Sequence, residues 1–410
     1  MKFSENAMSA ILLCSYIGIN NNDNFKPLTI KEWNEFLYRV SQCGQQPSVI
    51  MDQNFLKEAG YSQNYIERIK KLVSRGGTVA FELDGLEKKG IDVITQFDAD
   101  YPVLIGRKLK KKAPPVLFYS GDIGLARKVG IGVAGSRNID REGTEFTRKL
   151  VEKAAAEHLV IYSGGAKGID TVSETAAIEF GSAAVSFVAD SLLSKIRKKD
   201  ILDSIINKKR LLLSDVKPDV GFSVARAMNR NKYIYASSYG TFVIASDYNT
   251  GGTWAGATEA LRNEWTKVFV WQDGKYEGNG KLIEKGAIPY NYSHEPLYNL
   301  ITQKKESFQQ MDLFSFNSGM AETKEETAGL KTENTSERID NSTGQESSVE
   351  DTKNLYNVIA PYIVENIGEG MTKEEAAEIF KVAKGQMNTW LKRLCKDSYL
   401  KCVKGIYVKQ

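Results

Sequence analysis

The chain has 410 residues, 26% of them charged and 42% hydrophobic, so it can bury sizeable cores and is too long for one ordinary domain. Its net charge of +4 hides an asymmetry: residues 303–350 carry five basic and ten acidic side chains, a balance of −5, which leaves +9 on the rest (4 + 5). Four scattered cysteines without a CxxC pair and only two histidines argue against a zinc site and for reduced thiols, while the opening apolar run is too short to span a bilayer and lacks a signal peptide's cleavage pattern. A cytoplasmic protein with no membrane partner is expected.

Residues 1–85 read as an N-terminal helical domain of the SAM or helix-hairpin-helix type. Ala7–Ile17 is apolar, Thr29 precedes an amphipathic stretch from Ile30 to Val40, and Asn54–Leu72 repeats apolar residues at helical spacing, with a turn at Gly60-Tyr61-Ser62. A run-in follows, with short strands at Gly90–Thr95 and Val116–Tyr119 and a basic loop from Arg107 to Lys112.

From about residue 126 apolar strands alternate with helices. Strands are expected at Val129–Ala134, Leu159–Ser163, Ala183–Val188, Leu211–Ser214, Thr241–Ala245 and Val268–Trp271, and helices at Glu142–His158 and Ile169–Phe180. This pattern predicts an α/β fold, a Rossmann-like doubly wound parallel sheet covered on both faces, within a domain spanning 86–302. Residues 303–350 are too polar to order themselves and read as a disordered acidic linker. Residues 351–410 predict a winged-helix domain: a helix at Leu355–Glu365, a second from Lys373 to Phe380 capped by Thr372 with Glu375, a third at Lys384–Lys396, and a hairpin through Tyr399–Val403 and Ile406–Val408.

In a doubly wound sheet ligands bind beyond the carboxyl ends of the strands. Four segments belong there. Gly135, Ser136 and Arg137 follow the first strand and offer close backbone approach, a hydroxyl and a donor fork matched to phosphate. Ser163, Gly164, Gly165, Lys167 and Gly168 open a helix and present amides to an anion, with Asp170 as a helix cap or loop brace. Arg230, Asn231 and Lys232 add donors, and Gly251, Gly252 and Thr253 form a fourth loop. Neither GxxxxGK[ST] nor GxGxxG occurs, and no cofactor, metal or catalytic group is implied. Together these segments suit a polyanion. Tyr233 and Tyr235 flank the basic triplet and could stack on bases, whereas Trp254 and Trp265 read as core.

These motifs, with Tyr101-Pro102 and Pro114–Phe118 upstream, resemble the DNA-processing protein A family (DprA, or Smf) over about residues 50–300. The resemblance implies a homodimeric, non-catalytic protein that binds single-stranded DNA and loads a RecA-type recombinase on it, in transformation or recombination. It makes Arg137, Lys167, Arg230 and Lys232 the anion contacts. The sequence departs from the family where Ala227-Met228-Asn229 replaces a Phe-Pro pair, and where Lys232 replaces arginine, keeping charge but losing the fork.

Other readings accompany this one. Thr250–Thr253 with Glu259 is reminiscent of nucleotide-cleaving phosphoribohydrolases. Lys384, Gln386, Lys392 and Arg393 could line a DNA-facing helix. Gln310, Asp312, Leu313 and Phe314, within Gln-Met-Asp-Leu-Phe, resemble the peptide by which bacterial proteins bind the replication sliding clamp.

Overall fold

The computed structural model describes residues 3–20, 22–272 and 274–303, and in the C-terminal part residues 363–364, 367, 370–379, 384–397, 399–403 and 405–409. The linker expected at 303–350 with its clamp-like peptide, and nearly all of the helix expected at Leu355–Glu365, lie outside these residues. The chain divides into two compact units, Met1–Asp312 and Leu313–Gln410. No helix among the described residues is long and apolar enough to cross a membrane.

The first unit opens with five helices: α1 (Glu5–Cys14), α2 (Ile30–Gln42), α3 (Gln53–Glu58), α4 (Gln63–Ser74) and α5 (Gly76–Glu87). Helix α2 starts where expected because Thr29 and Glu32 form a reciprocal capping box. The turn between α3 and α4 falls at the expected glycine, Gly60, which takes φ +74°. Helix α5 runs through the expected boundary at residue 85. The helical core is also continuous with the sheet: Phe36, Leu56, Ile69 and Leu72 share one apolar cluster with Val93, Phe118 and Leu212.

Next come β1 (Asp92–Thr95), α6 (Val103–Leu109), β2 (Val116–Gly121), β3 (Gly130–Ala134), α7 (Arg141–Ala156), β4 (Val160–Ser163), α8 (Ile169–Glu179), β5 (Ala184–Phe187), α9 (Leu192–Ile196), α10 (Lys199–Ile206), β6 (Arg210–Ser214), α11 (Val224–Ser237), β7 (Gly240–Val243), α12 (Gly251–Arg262), β8 (Lys267–Trp271), α13 (Glu277–Glu284), β9 (Ile288–Tyr290) and α14 (Leu297–Thr302). The nine strands form one sheet in the order β1-β2-β6-β5-β4-β3-β7-β8-β9.

Strands β3 to β9 are all parallel, but β1 and β2 are antiparallel to their neighbours, so the sheet is mixed where a wholly parallel one was expected. Both strands lie at one edge of the sheet and precede the alternating strand–helix units whose crossovers impose parallel pairing, the place where an otherwise parallel sheet commonly carries antiparallel strands. Strand β9 was not anticipated; at three residues with two exposed it shows almost no periodicity.

The sheet interior reads as continuous apolar runs because both faces are covered. Ile131, Val133 and Phe242 pack toward α7 and α8, while Ala134, Val185 and Val243 pack toward α11 and α12. From β3 the chain winds outward through β4, β5 and β6. Helix α11 then carries it back across the sheet to β7, on the other side of β3. The switch point therefore lies between β3 and β7.

In the second unit, helices α15 (Lys373–Ile379) and α16 (Lys384–Lys396) accompany a three-stranded antiparallel sheet of β10 (Met371–Thr372), β11 (Leu400–Val403) and β12 (Ile406–Lys409), in the order β10-β12-β11. Met387, Trp390, Leu391 and Leu394 supply its core with Leu400 and Tyr407. The capping box is present: the Glu375 amide donates to Thr372 Oγ1 at 3.3 Å and the Thr372 amide to Glu375 Oε2 at 2.9 Å.

Candidate functional site: a cleft at the switch point

A cleft of about 400 Å³ opens at the carboxyl ends of β3 and β7. It is lined by the turn after β3, by α11, by the start of α12 and by Ala166 and Asp170. Three of the four expected segments contribute directly.

The turn Gly135–Asn138 is held from both sides. The Ser136 amide donates to the Ala245 carbonyl at 2.9 Å, and the Ser136 hydroxyl accepts from the Asn138 amide at 3.1 Å. Gly135 must be glycine, because a Cβ would stand 2.6 Å from Ile169 Cγ1. Arg137 is left exposed at the mouth, its guanidinium 5.2 Å from the centre of the Phe222 ring.

Helix α11 begins cleanly because Ser223 caps it, accepting from the Arg226 amide at 3.1 Å. It directs Arg230 into the cleft. Arg230 is only 4% exposed, and its nearest countercharge is Asp170 Oδ2 at 3.7 Å, beyond hydrogen-bond reach. Its Nε and Nη1 have no hydrogen-bond partner among the described residues. Burial pulls its proton affinity down, against the opposing pull of Asp170 and Glu174. Burial likewise pushes the Asp170 carboxyl up, against the pull of Arg230. Arg230 is thus a buried cation with unused donors, beside a carboxylate whose burial disfavours its charge.

Asn231 lines the same cleft, and its Nδ2 donates to the Gly252 carbonyl at 2.9 Å, joining α11 to α12. Helix α12 starts at Gly251, with φ +77° and no side-chain cap, so Gly251, Gly252 and Thr253 turn the positive end of a twelve-residue helix toward the cleft.

The segment Ser163–Gly168 does something other than expected. Ser163 is buried and its hydroxyl donates to the Val133 carbonyl at 3.0 Å. The Gly165 amide is taken by Glu174 Oε1 at 2.8 Å and the Ala166 amide by Asp170 Oδ2 at 3.3 Å. These amides serve the protein's own carboxylates, with Asp170 acting as the brace the sequence suggested. Gly168, at φ +78°, lies against the Ser136 and Arg137 carbonyls and fixes the distance between the two turns. Gly164 makes room for the Arg230 guanidinium. Lys167 is exposed and does not line the cleft.

Lys232 is the second displaced cation. Two residues after Arg230 on a helix, it points to the opposite flank, where its Nζ donates to Asn229 Oδ1 at 2.8 Å. Tyr233 and Tyr235 are each 1% exposed, which removes them as stacking surfaces; the Tyr233 hydroxyl instead donates to Asp215 Oδ2 at 2.7 Å. Trp254 and Trp265 are buried, as read. The exposed apolar groups near the cleft are Phe222, Val224 and Met228, which sequence reasoning missed because they show no helical stripe of their own.

Behind the cleft stands a buried pair, also missed: Arg210 Nη1 meets Glu174 Oε2 at 2.8 Å, and Arg210 Nε donates to Ser204 Oγ at 2.9 Å. The available signal was the spacing of Asp170 and Glu174, four apart on α8 and so on one face. Among the described residues no His, Cys, Asp and Glu cluster could hold a metal ion.

Fold and cleft together define a Rossmann-like α/β protein with a cleft at its strand-order switch. Within that class the chain belongs to the DNA recombination-mediator protein A family, whose sequence model matches residues 92–300. It is 30% identical over 180 residues to DNA processing protein DprA of Streptococcus pneumoniae, covering 43% of this chain and 63% of that protein's length. It is 28% identical over 211 residues to DNA processing protein DprA of Bacillus subtilis, covering 50% of this chain and 70% of that one. The X-ray structure of the pneumococcal DprA matches with a TM-score of 0.53 at 22% identity, over 71% of this chain and 95% of that one, which is a likeness of fold.

Proposed function

We propose that this protein binds single-stranded DNA through backbone phosphates seated in the switch-point cleft, and that it acts as a binding protein assisting a RecA-type recombinase. The observation that carries this reading is Arg230, buried beside the cleft with Nε and Nη1 unpartnered. A phosphate oxygen is the natural partner for such donors, and the α12 N-terminus and Arg137 add to the same field. Family membership and the names of its relatives, DNA processing proteins, support DNA as the source of the phosphate. Arg137 stacked with an exposed Phe222 supports unpaired bases over a duplex, because stacking needs a free base face.

The wider parts of the reading follow the family: a homodimer, a cytoplasmic location, and a C-terminal winged helix that assists. The four free cysteines support a reducing compartment. On α16, Lys392 and Arg393 are the described members of the DNA-facing set; the side chains of Lys384 and Gln386 lie outside the described residues. The phosphoribohydrolase reading is disfavoured: Glu259 is absent from the cleft lining and faces Lys112 Nζ at 3.5 Å.

The test is a titration of labelled single- and double-stranded oligonucleotides across salt concentration, with Arg230→Ala and Arg137→Ala beside the wild type. Preference for single strands, affinity falling steeply with salt, and a loss in both variants are expected. Equal binding by all three proteins would remove the cleft from the reading. Release of free base from nucleoside monophosphates would reinstate the enzyme.

A further inference from the structure

Lys232 leads away from the cleft to a second concave surface. Arg230 and Lys232 are two positions apart, so their side chains leave α11 roughly 200° apart. On the flank where Lys232 lies, itself buried at 9% exposure, a groove of about 520 Å³ opens between α2 and the single 3₁₀ turn Lys110–Lys112 that follows α6. Lys31, Lys111, Lys112 and Lys232 line it, together with Asn34 and the half-exposed Tyr38. One acidic residue lines it, Glu35, and Arg39 already holds that carboxylate at 2.8 Å. The lining charge is therefore +3 (four lysines less one glutamate).

The fold holds this arrangement deliberately. Asn34 Nδ2 donates to the Lys111 carbonyl at 2.7 Å and to the Ile30 carbonyl at 2.7 Å, pinning the lysine turn to α2. Lys112 is steadied by Glu259 at 3.5 Å and by the Trp265 ring at 5.7 Å. Lys31 and Lys111 have no ion pair among the described residues. Lys31 and Lys111, lining one groove without an ion pair of their own, repel each other, and an incoming polyanion relieves that repulsion.

We propose that this lysine groove is a second nucleic-acid contact, tracking the phosphates of a strand on the flank of α11 opposite the cleft. Lysines act as point charges that follow a backbone without reading bases, and Tyr38 offers one ring for a base. Ile30 and Tyr38 are the groove's only apolar or aromatic lining residues, against four lysines, which favours a polyanion over a protein partner's hydrophobic anchor. The inference stands on the groove's own geometry and does not require the cleft to bind DNA.

The test uses the full chain, a long (~30-nucleotide) and a short (~6-nucleotide) labelled dT strand, and anisotropy titrations across salt. The variant is Lys31→Ala with Lys111→Ala, two exposed side chains whose loss leaves the Asn34 bonds to main-chain carbonyls intact. On the long strand the slope of log affinity against log salt should fall by about 1.4, two contacts at ~0.7 each. Tyr38→Ala should weaken the long strand further without changing the slope. An unchanged slope in the double-lysine variant overturns the proposal. So does competition by an acidic polyglutamate peptide that outmatches the oligonucleotide, which would make the groove a protein-docking surface. A slope that falls only in Arg230→Ala would leave the cleft reading and sink this one; a slope that falls only in the lysine variant would do the reverse.

Discussion

Gly164 and Arg230 occupy the same space: a Cβ on Gly164 would fall inside the Arg230 guanidinium. The loop after β4 thus contributes by having no side chain, and its glycine sets the depth at which the cation sits. Gly164→Ala should push Arg230 out of its seat. Single-stranded DNA affinity is expected to fall as far as in Arg230→Ala, with stability lowered by about 1–3 kcal/mol from overpacking. Gly85→Ala is the control, since nothing lies within 4 Å of a Cβ there and the residue is inside α5; it should be neutral or stabilise by roughly 0.5–1 kcal/mol. Wild-type binding by Gly164→Ala would show that Arg230 has no defined seat.

Arg137 and Arg230 should separate binding from stability. Arg137 is exposed and stacked only on Phe222, so Arg137→Ala should weaken DNA binding by roughly 1.5–3 kcal/mol, the range for hydrogen bonds to charged groups. Its melting temperature should stay within about a degree or two of the wild type. Arg230→Ala removes an underpaired buried cation but also leaves Asp170 buried without its nearest countercharge, so it should lose binding at a stability cost of about 1–3 kcal/mol. Calorimetric melts beside the binding titrations read both; a large destabilisation in Arg230→Ala would mean that the residue is mainly structural.

Much of the first unit was legible because its strands are apolar runs bounded by glycines and caps. β3, β4, β5 and β8 fall within a residue or two of expectation for that reason. What stayed hidden depends on side-chain direction. Arg230 and Lys232 look alike in sequence, yet helix geometry sends them to opposite flanks. The amides of the Ser163–Gly168 segment looked free for a ligand, and only the fold brings Asp170 and Glu174 back to them. Phe222, in the loop before α11, carries no periodicity that would tie it to Arg137, whose guanidinium lies 5.2 Å from its ring centre.

Glu174 joins two tasks, pairing with Arg210 and holding the Gly165 amide. Both side chains are 6% exposed, so Glu174→Ala should cost about 3–5 kcal/mol by leaving Arg210 buried and unpaired. The double change Glu174→Leu with Arg210→Met removes both charges and should recover most of that loss. DNA affinity should stay low in the double variant, because the freed Gly165 amide no longer fixes the loop that seats Arg230. Full recovery of both stability and binding would show that the pair only fills the core.

A pH dependence follows from Glu32. Its carboxylate accepts from Arg68 Nη1 at 2.6 Å and from the Thr29 amide at 2.7 Å, and these contacts, the Arg68 bond foremost, hold it down at about 2 instead of its ordinary 4.5. A depressed carboxylate stabilises the fold above its unfolded value and loses that contribution as pH falls toward the folded one. The window is therefore pH 4.5 down to about 2. The group is partly solvated, so screening reduces the contribution to about 1 kcal/mol. Glu32→Gln should be less stable than the wild type by that amount near neutrality, and the two unfolding curves should converge as pH drops through this window. Arg68→Met should show the same convergence, since it removes the other half of the pair. A gap that stays constant from pH 6 to pH 2 would assign the loss to helix capping, which Gln can partly replace, and not to the ion pair.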